Sequence, residues 1–270
     1  MVGTDYHIHT HYVGCANETM RIPAILERCN ALGRTSIAIT DHRDDDGRRD
    51  KNQLIKQELE RTDPGGLEVF FGCELNIQNL DADVVLDERM KSDEGFDIVA
   101  AGIHSTWRQP GDAGVPEIVE RYCDLLCKVA ANPLIDVVLH PWWFNEREFN
   151  EQLKAGFTSL EMVPGEWTRK LADICVKNDT AIELNTGAVL TYRAYSEPLR
   201  KSYKTYIARL VELGCLISLG TDAHDISTLD SVTVGEEMIA ELEIPDDQIW
   251  RPRVEAKVAG SRLMNRKGSR

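Results

Sequence analysis

Short apolar runs alternate with longer amphipathic stretches along this chain of 270 residues. The apolar runs, rich in β-branched residues, predict seven strands, at 5–10, 36–40, 69–76, 98–103, 136–140, 180–185 and 216–221. Several runs, such as SIAIT and IVAAGI, are apolar at nearly every position, which is typical of parallel strands buried on both faces. Helical periodicity between start and stop residues predicts helices at 22–32, 52–61, 116–131, 167–177 and 198–213. This alternation predicts a parallel α/β architecture.

No linker rich in Gly, Ser or Pro divides the alternation. We therefore expect one domain over residues 1–270, with a short basic tail from about residue 262 (RLMNRKGSR). The charged stretch RDDDGRRDK at 43–51 is interpreted as a solvated loop that leads into a helix.

The composition narrows the classes of function. The chain carries 31 basic and 45 acidic residues, and its formal net charge of −14 disfavours a surface for nucleic acid or anionic membranes. No apolar run approaches the ~18 residues that span a bilayer, and the N-terminus lacks the pattern of a secretory signal. The seven cysteines, an odd number, argue against a disulfide framework, and those in apolar runs are predicted to be buried thiols. We expect a cytoplasmic protein.

Residues that bind metals lie at the predicted strand ends. Six of the seven histidines, one glutamate and one aspartate close or follow six different strands: His7, His9, His42, Glu74, His104, His140, Asp222 and His224. The H-x-H spacing of the first pair places both imidazoles on the same face of a strand. Because the C-terminal strand ends of an α/β barrel converge on one face, we expect these side chains to meet there. Asp5 and Asp41, beside the histidines, are candidates to orient imidazoles.

The donor set indicates a metal cluster. Imidazole nitrogen and carboxylate oxygen suit Zn²⁺, Mn²⁺ or Fe, and the eight donors exceed what one tetrahedral ion uses. The sequence thus predicts two or three divalent ions with one bridging carboxylate. Two such ions outweigh the charges of Glu74 and Asp222, which favours an anionic substrate such as a phosphate ester.

The motifs DYHIHTH, ITDH, GCEL, GIH, LHP and GTDAH follow one another in this order along the chain. The ordered set resembles the motifs of the PHP (polymerase and histidinol phosphatase) superfamily. The resemblance implies a distorted (β/α)7 TIM-like barrel with a site for two or three metal ions. It implies three ligand sets: His7, His9, Glu74 and Asp222 for one ion, Glu74 as a bridge with His104 and His140 for the second, and His42 and His224 for the third.

The third ligand set departs from the family pattern. Family members often carry a histidine eight residues after the first one, where this chain has Cys15. Either Cys15 binds as a thiolate, or His11 takes its place, or the third ion is weak or absent and the enzyme is binuclear. The sequence leaves these three alternatives open.

Candidates for substrate binding are fewer. The segment ELNTGAVLTYR resembles a family segment in which an asparagine follows the strand and an arginine reaches the substrate phosphate, which makes Asn185 and Arg193 candidates. Arg43, beside one of the predicted ligands, is a second candidate cation. Trp107 and the tryptophan pair at 142–143 are candidate aromatic groups at the pocket rim.

Together these residues predict a metal-dependent phosphoesterase, either a phosphatase or a phosphodiesterase, that hydrolyses a phosphate ester of a small molecule. A metal-bound hydroxide would attack phosphorus, and Arg193 or Arg43 would offset the developing charge. Asp222 or a nearby histidine such as His224 would guide the proton.

Three alternative functions would use the same site. The first is hydrolysis of a carbon ester, lactone or amide, the second is trimming of DNA or RNA 3′ ends, and the third is a non-catalytic module that binds metal or a partner. The negative net charge disfavours nucleic acid except as a nucleotide or oligonucleotide substrate. The nearly complete ligand set disfavours the non-catalytic module. The sequence leaves the oligomeric state open.

Overall fold

Seven parallel strands form one sheet in chain order in the computed structural model, which describes residues 2–105 and 114–253. They are β1 Thr4–Ile8, β2 Ser36–Ile39, β3 Glu68–Asn76, β4 Ile98–Gly102, β5 Val137–Val138, β6 Ala181–Asn185 and β7 Ile217–Gly220. A parallel bridge between Ile8 and Ala223 links β1 to the segment after β7, where the Asp222 N–H donates to the carbonyl oxygen of His7 at 2.8 Å. The sheet is therefore a nearly closed barrel, and the predicted (β/α)7 TIM-like fold is confirmed.

Helices connect the strands and bury their apolar faces in one large cluster. The described α-helices are α1 Ile22–Ala31, α2 Asp46–Leu59, α3 Glu88–Glu94, α4 Val115–Ala131, α5 Glu146–Glu148, α6 Gly165–Asn178, α7 Glu197–Glu212 and α8 Val232–Glu241. The five predicted helices correspond to α1, α2, α4, α6 and α7. Among the described helices, none is both long enough and apolar enough to cross a bilayer.

The charged stretch 43–51 is mostly helix, whereas we expected a loop. Asp45 caps α2, since its carboxylate accepts a hydrogen bond from the Arg48 N–H at 3.0 Å, and the helix begins at Asp46. Helix α8 was also missed, because its first turn carries β-branched residues and Gly235, which have low helix propensity, and its packing against the core is not visible in the sequence.

A second, smaller apolar cluster lies apart from the helix-covered core. Strands β1 to β6 each contribute to it, and Trp250 packs edge-on against Tyr6 with ring centroids 5.5 Å apart. Residues from so many strands can meet only inside the barrel, so this cluster fills the interior. The pairing of β1 with β2 shifts register between Asp5 and Ile8, an irregularity typical of strands beside functional sites.

Two predicted features lie outside the described residues. These are the basic tail from about residue 262 and the candidate substrate residue Trp107. The single-domain assignment for residues 1–270 stays a prediction.

Candidate metal centre

Glu74, near the end of β3, lies at the centre of a group of imidazoles. Its carboxylate is 1% exposed, and five histidines approach its oxygens to within 3.5 Å: His7, His9, His42, His104 and His140. Its Oε1 lies 3.0 Å from His140 Nε2, and its Oε2 lies 3.2 Å from both His9 Nε2 and His42 Nδ1. The barrel thus brings together candidate ligands that are far apart in sequence, as the strand-end positions predict.

Among the described residues, potential metal donors form three overlapping groups whose ligand atoms lie within 4.8 Å of one another. The groups are His7, His9 and Asp222; His42, Glu74 and His104; and His9, Cys15, His42 and His224. His140 joins the second group through Glu74. All predicted ligands therefore belong to the cluster, and His9 and His42 are each shared by two groups.

The backbone adopts a left-handed conformation at two of the candidate ligands. The φ angle is 27° at His140 and 55° at Asp222. This region costs a residue with a Cβ about 1–2 kcal/mol, so the surrounding contacts must hold it there. Asp222 Oδ1 lies 3.1 Å from His9 Nε2, so the strained turn aims its carboxylate into the cluster.

The protonation states of His42 and Glu74 suit the binding of a cation. Burial lowers the pKa of His42 to about 3, so this imidazole is neutral and offers a lone pair. Burial opposes ionisation of Glu74, but the surrounding histidines outweigh it and hold the pKa of its carboxyl well below its usual range. Glu74 Oε2 and His42 Nδ1 are both buried without a hydrogen-bond partner among the described residues, although they lie 3.2 Å apart. Two facing electron-pair donors without a proton between them suit a divalent cation.

The carboxylates that face His7 and His9 favour the protonated form of both imidazoles. Burial opposes protonation of His7, but the facing carboxylates of Glu183, Asp222 and Glu74 outweigh it and raise its pKa well above the usual range. The pKa of His9 is raised against burial in the same way, by its contacts with Asp222, Cys15 and Glu74. Metal binding here is therefore coupled to proton release.

Cys15 belongs to the third donor group. Its Sγ lies 3.7 Å from His9 Nδ1. Burial raises the pKa of its thiol, but hydrogen bonds with His224 and His9 outweigh this effect and lower the pKa to about 7. His11, the alternative third-site ligand, lies outside the three groups, and its Nδ1 lies 3.3 Å from the carbonyl oxygen of Met20.

The loops that carry Cys15 and His224 are joined directly. The Asn17 N–H donates to the carbonyl oxygen of His224 at 3.0 Å. The Ile226 N–H donates to Thr19 Oγ1 at 3.1 Å. These bonds hold the thiol and the imidazole on the same side of the barrel mouth.

Asp5 and Asp41 support the backbone more than the imidazoles. Asp5 accepts hydrogen bonds from the Thr221 N–H at 3.0 Å and the Thr221 hydroxyl at 2.8 Å. Asp41 accepts hydrogen bonds from the N–H of Thr10 at 3.0 Å and from its hydroxyl at 2.7 Å. Burial outweighs these bonds at Asp5 and raises its pKa to about 7. Neither carboxylate hydrogen-bonds an imidazole within the described part of the chain.

Glu183, on β6, contacts the candidate ligands and was not predicted from the sequence. Its Oε1 lies 2.8 Å from His7 Nδ1. The signal was its spacing, because residues two apart on a strand face the same side and Glu183 precedes the inward candidate Asn185 by two.

Arg43 forms a buried salt bridge with Glu94. Its guanidinium is 0% exposed, with Nε and Nη2 each donating to Glu94 at 2.8 Å and Nη1 donating to the carbonyl oxygen of Asp45 at 2.6 Å. A buried guanidinium engaged by a carboxylate is not available to a substrate. Its contacts therefore assign Arg43 a structural role in place of the catalytic one we expected.

Asn185 and Arg193, the other candidate substrate residues, have different environments. Asn185 is 0% exposed; its Oδ1 accepts from the Ala188 N–H at 2.6 Å and its Nδ2 donates to Glu183 at 3.0 Å. Both ends of its amide are occupied, so the contacts favour capping of the following turn over the expected substrate contact. Arg193 is exposed and has no hydrogen-bond or ionic partner within the described ranges, so it stays a candidate.

The two tryptophans after β5 have different environments. Trp142 is 1% exposed and packs against Tyr122 in the core. Trp143 is half-buried, and its ring centroid lies 5.4 Å from that of His104 and 5.2 Å from that of His140. The aromatic group beside the metal ligands is therefore Trp143.

Comparisons with known proteins find a matching family model, a related sequence and structures of similar fold. The PHP domain family model matches residues 5–187. A protein of Proteus mirabilis (strain HI4320) named probable phosphatase is 23% identical over 243 residues, which cover 90% of this chain and 87% of that protein. The structure of histidinol phosphate phosphatase from Lactococcus lactis, with zinc, L-histidinol and phosphate, superposes with a TM-score of 0.58 at 18% identity, covering 90% of this chain and 94% of that one. A structure from Listeria monocytogenes superposes with a TM-score of 0.62 at 12% identity, covering 84% and 97%.

Proposed function

Because this chain belongs to the PHP domain family, we propose that it is a metal-dependent phosphoesterase that hydrolyses a phosphate ester of a small molecule. The observation that carries the proposal is the convergence of imidazoles on the buried carboxylate of Glu74. The name of the Proteus mirabilis relative supports the same class of reaction.

The three donor groups would hold two or three divalent ions, with Zn²⁺, Mn²⁺ and Fe as candidates. Bound divalent ions supply Lewis acidity, which polarises a phosphoryl oxygen and brings the pKa of water near neutrality. Glu74, with both oxygens directed at histidines, is the proposed bridge between two of these ions.

Side chains at the mouth of the barrel are candidates for proton transfer and for substrate binding. His224 is 40% exposed, and its Nδ1 lies 3.5 Å from Asp222 Oδ1, so in a binuclear enzyme, where His224 would hold no ion, this imidazole is our candidate to take up the transferred proton. Arg193, exposed and unpaired within the described residues, is our candidate to bind a phosphate oxygen. Trp143 would form an apolar wall beside His104.

Cys15 is our candidate to complete a third site as a thiolate. Its position beside His9 and the bonds between its loop and that of His224 support this choice over His11. A set of three imidazoles and one thiolate suits Zn²⁺ better than the harder Mn²⁺.

The proposal is tested by measuring metal per chain together with phosphate release. The screen covers sugar phosphates, histidinol phosphate, nucleotides and cyclic phosphates. We expect at least two metal ions per chain and release of inorganic phosphate from at least one class. Turnover of carbon esters without phosphate release would point to the carbon-ester alternative, and a folded protein with substoichiometric metal would exclude the metal-dependent mechanism.

Two substitutions test the residues. His9→Ala and Asp222→Asn should each lower kcat by at least about 10²-fold, since each removes a donor from the first group, while circular dichroism shows a folded protein. Activity that survives either change after metal is restored would contradict the assignment.

A further inference from the structure

The buried carboxylate of Glu183 contacts His7, a member of the first donor group, and the backbone of His140, which joins the second group. Glu183 is 1% exposed and lies on β6, which contributes no ligand to the three described groups. Its Oε1 lies 2.8 Å from His7 Nδ1, and its Oε2 accepts hydrogen bonds from the His140 N–H at 2.5 Å and from Asn185 Nδ2 at 3.0 Å. Both carboxylate oxygens are therefore engaged: Oε1 faces a histidine side chain, and Oε2 accepts from a backbone N–H and a side-chain amide.

The contact with His7 determines which imidazole nitrogen can bind a cation. A carboxylate facing Nδ1 keeps the proton on that nitrogen. The opposite nitrogen, Nε2, then offers its lone pair where it lies 3.5 Å from both Glu74 Oε2 and Asp222 Oδ1. The orientation of the His7 ring toward the cluster thus depends on Glu183.

The contact with His140 acts on the backbone. His140 has φ of 27°, and a hydrogen bond to its N–H holds that residue in place while its Nε2 lies 3.0 Å from Glu74 Oε1. Gly220 on β7 leaves the space for this arrangement, since a Cβ there would overlap Glu183 Oε1 and lie 2.6 Å from His7 Cβ. The fold therefore reserves room for the pair of Glu183 and His7.

We propose that Glu183 is a positioning residue that fixes the His7 tautomer and the His140 turn. It thereby holds donors of two metal groups in the positions that binding requires. The inference rests on the metal centre of the proposed function and not on the identity of the substrate. Carboxylates that orient ligand histidines commonly contribute 10- to 100-fold in metal affinity.

The test is Zn²⁺ affinity, measured by chelator competition on the full chain. Glu183→Gln keeps the shape but removes the charge, and we expect Zn²⁺ binding to weaken about 10- to 100-fold. Glu236→Gln, which removes a partly buried carboxylate of α8 that pairs with Arg34, is the matched control and should leave Zn²⁺ affinity unchanged. Equal Zn²⁺ affinities of folded Glu183→Gln and wild type would overturn the inference.

A second measurement needs no variant. Nitrogen-15 NMR of histidine-labelled, Zn²⁺-loaded wild type should show His7 ligated through Nε2 and protonated at Nδ1. Ligation through Nδ1 would overturn the inference even if Glu183→Gln does not fold. Wild type that binds no Zn²⁺ would overturn the proposed metal centre as well, whereas normal Zn²⁺ binding by Glu183→Gln would overturn only the role of Glu183.

Discussion

At the scale of single residues, the candidate metal cluster requires a position without a side chain as well as the ligand side chains themselves. Gly102, the last residue of β4, faces the rings of two ligand histidines. A Cβ at this position would lie 2.5 Å from His140 Cε1, 2.8 Å from His140 Nε2 and 3.2 Å from His104 Cε1. Only glycine leaves room for both imidazoles here.

Gly102→Ala should therefore weaken metal binding by the second group at least about 10-fold, because the His140 ring must move away from Glu74. Metal per chain after dialysis measures the effect. Gly165→Ala is the control, since a Cβ there meets no heavy atom within 4 Å. Unchanged metal content in Gly102→Ala would show that the rings can shift without loss of ligation.

Cys15 supports a prediction about the third site. Cys15→Ala should lower the number of tightly bound ions by one per chain, because a thiolate donor is lost from a group of four. In Co²⁺-loaded protein the sulfur-to-metal charge-transfer absorption should vanish as well. Cys15→His should keep the ion but not that absorption. Absorption that persists in Cys15→Ala would exclude Cys15 as a ligand.

At the scale of elements, a salt bridge joins the last described α-helix to the start of the barrel. Glu236 on α8 accepts from Arg34 Nη1 at 2.6 Å, from Arg34 Nη2 at 3.0 Å and from the Gly3 N–H at 3.0 Å. Gly3 precedes β1 and Arg34 precedes β2, so one carboxylate joins three segments on either side of the barrel seam. Sequence analysis gave no sign of this contact, since α8 itself was not predicted.

Glu236→Gln should lower the free energy of unfolding by about 1 kcal/mol at pH 7. Burial opposes ionisation, but the bonds from Arg34 and Gly3 outweigh it and lower the pKa of Glu236 below its usual 4.5. Because the folded-state pKa is the lower one, the stabilisation is complete above 4.5 and disappears as the pH falls through the folded value. Urea unfolding of both proteins at pH 7 and at acid pH measures the difference, with exposed Glu237→Gln as control. A pH-independent difference would contradict the ionic origin.

At the scale of the whole molecule, the net charge of −14 and an anionic substrate are compatible. Divalent ions in the cluster would make the site locally positive, while the remaining surface repels nucleic acid and other polyanions. The same argument makes anion binding conditional on metal.

Removing metal with a chelator should abolish phosphate release, and restoring Zn²⁺ should recover it. Inorganic phosphate should inhibit the loaded enzyme competitively and should not bind the metal-free protein in calorimetry. Zn²⁺ at about 100 times its Kd should also raise the free energy of unfolding by about 2.7 kcal/mol per site. Phosphate binding of equal strength with and without metal would contradict this account.

The order of the apolar runs and the positions of histidines and carboxylates at their ends were enough to predict the strands and the convergence of most candidate metal ligands. Apolar runs mark buried parallel strands, and the convergence of their C-terminal ends in a barrel brings His7, His42 and Asp222 together without knowledge of individual contacts. The convergence of these side chains could be predicted because it follows from the topology of the barrel.

The partner of each remaining charged or polar group depends on the tertiary structure. Arg43 pairs with Glu94, 51 residues away, and His7 meets Glu183, 176 residues away. Local patterns report whether a residue is buried, but they do not report which distant group satisfies its charge, because that depends on packing between elements. Sequence analysis therefore placed Arg43 among the catalytic residues and overlooked Glu183, while the position of Cys15 beside His9 emerged only from the folded chain.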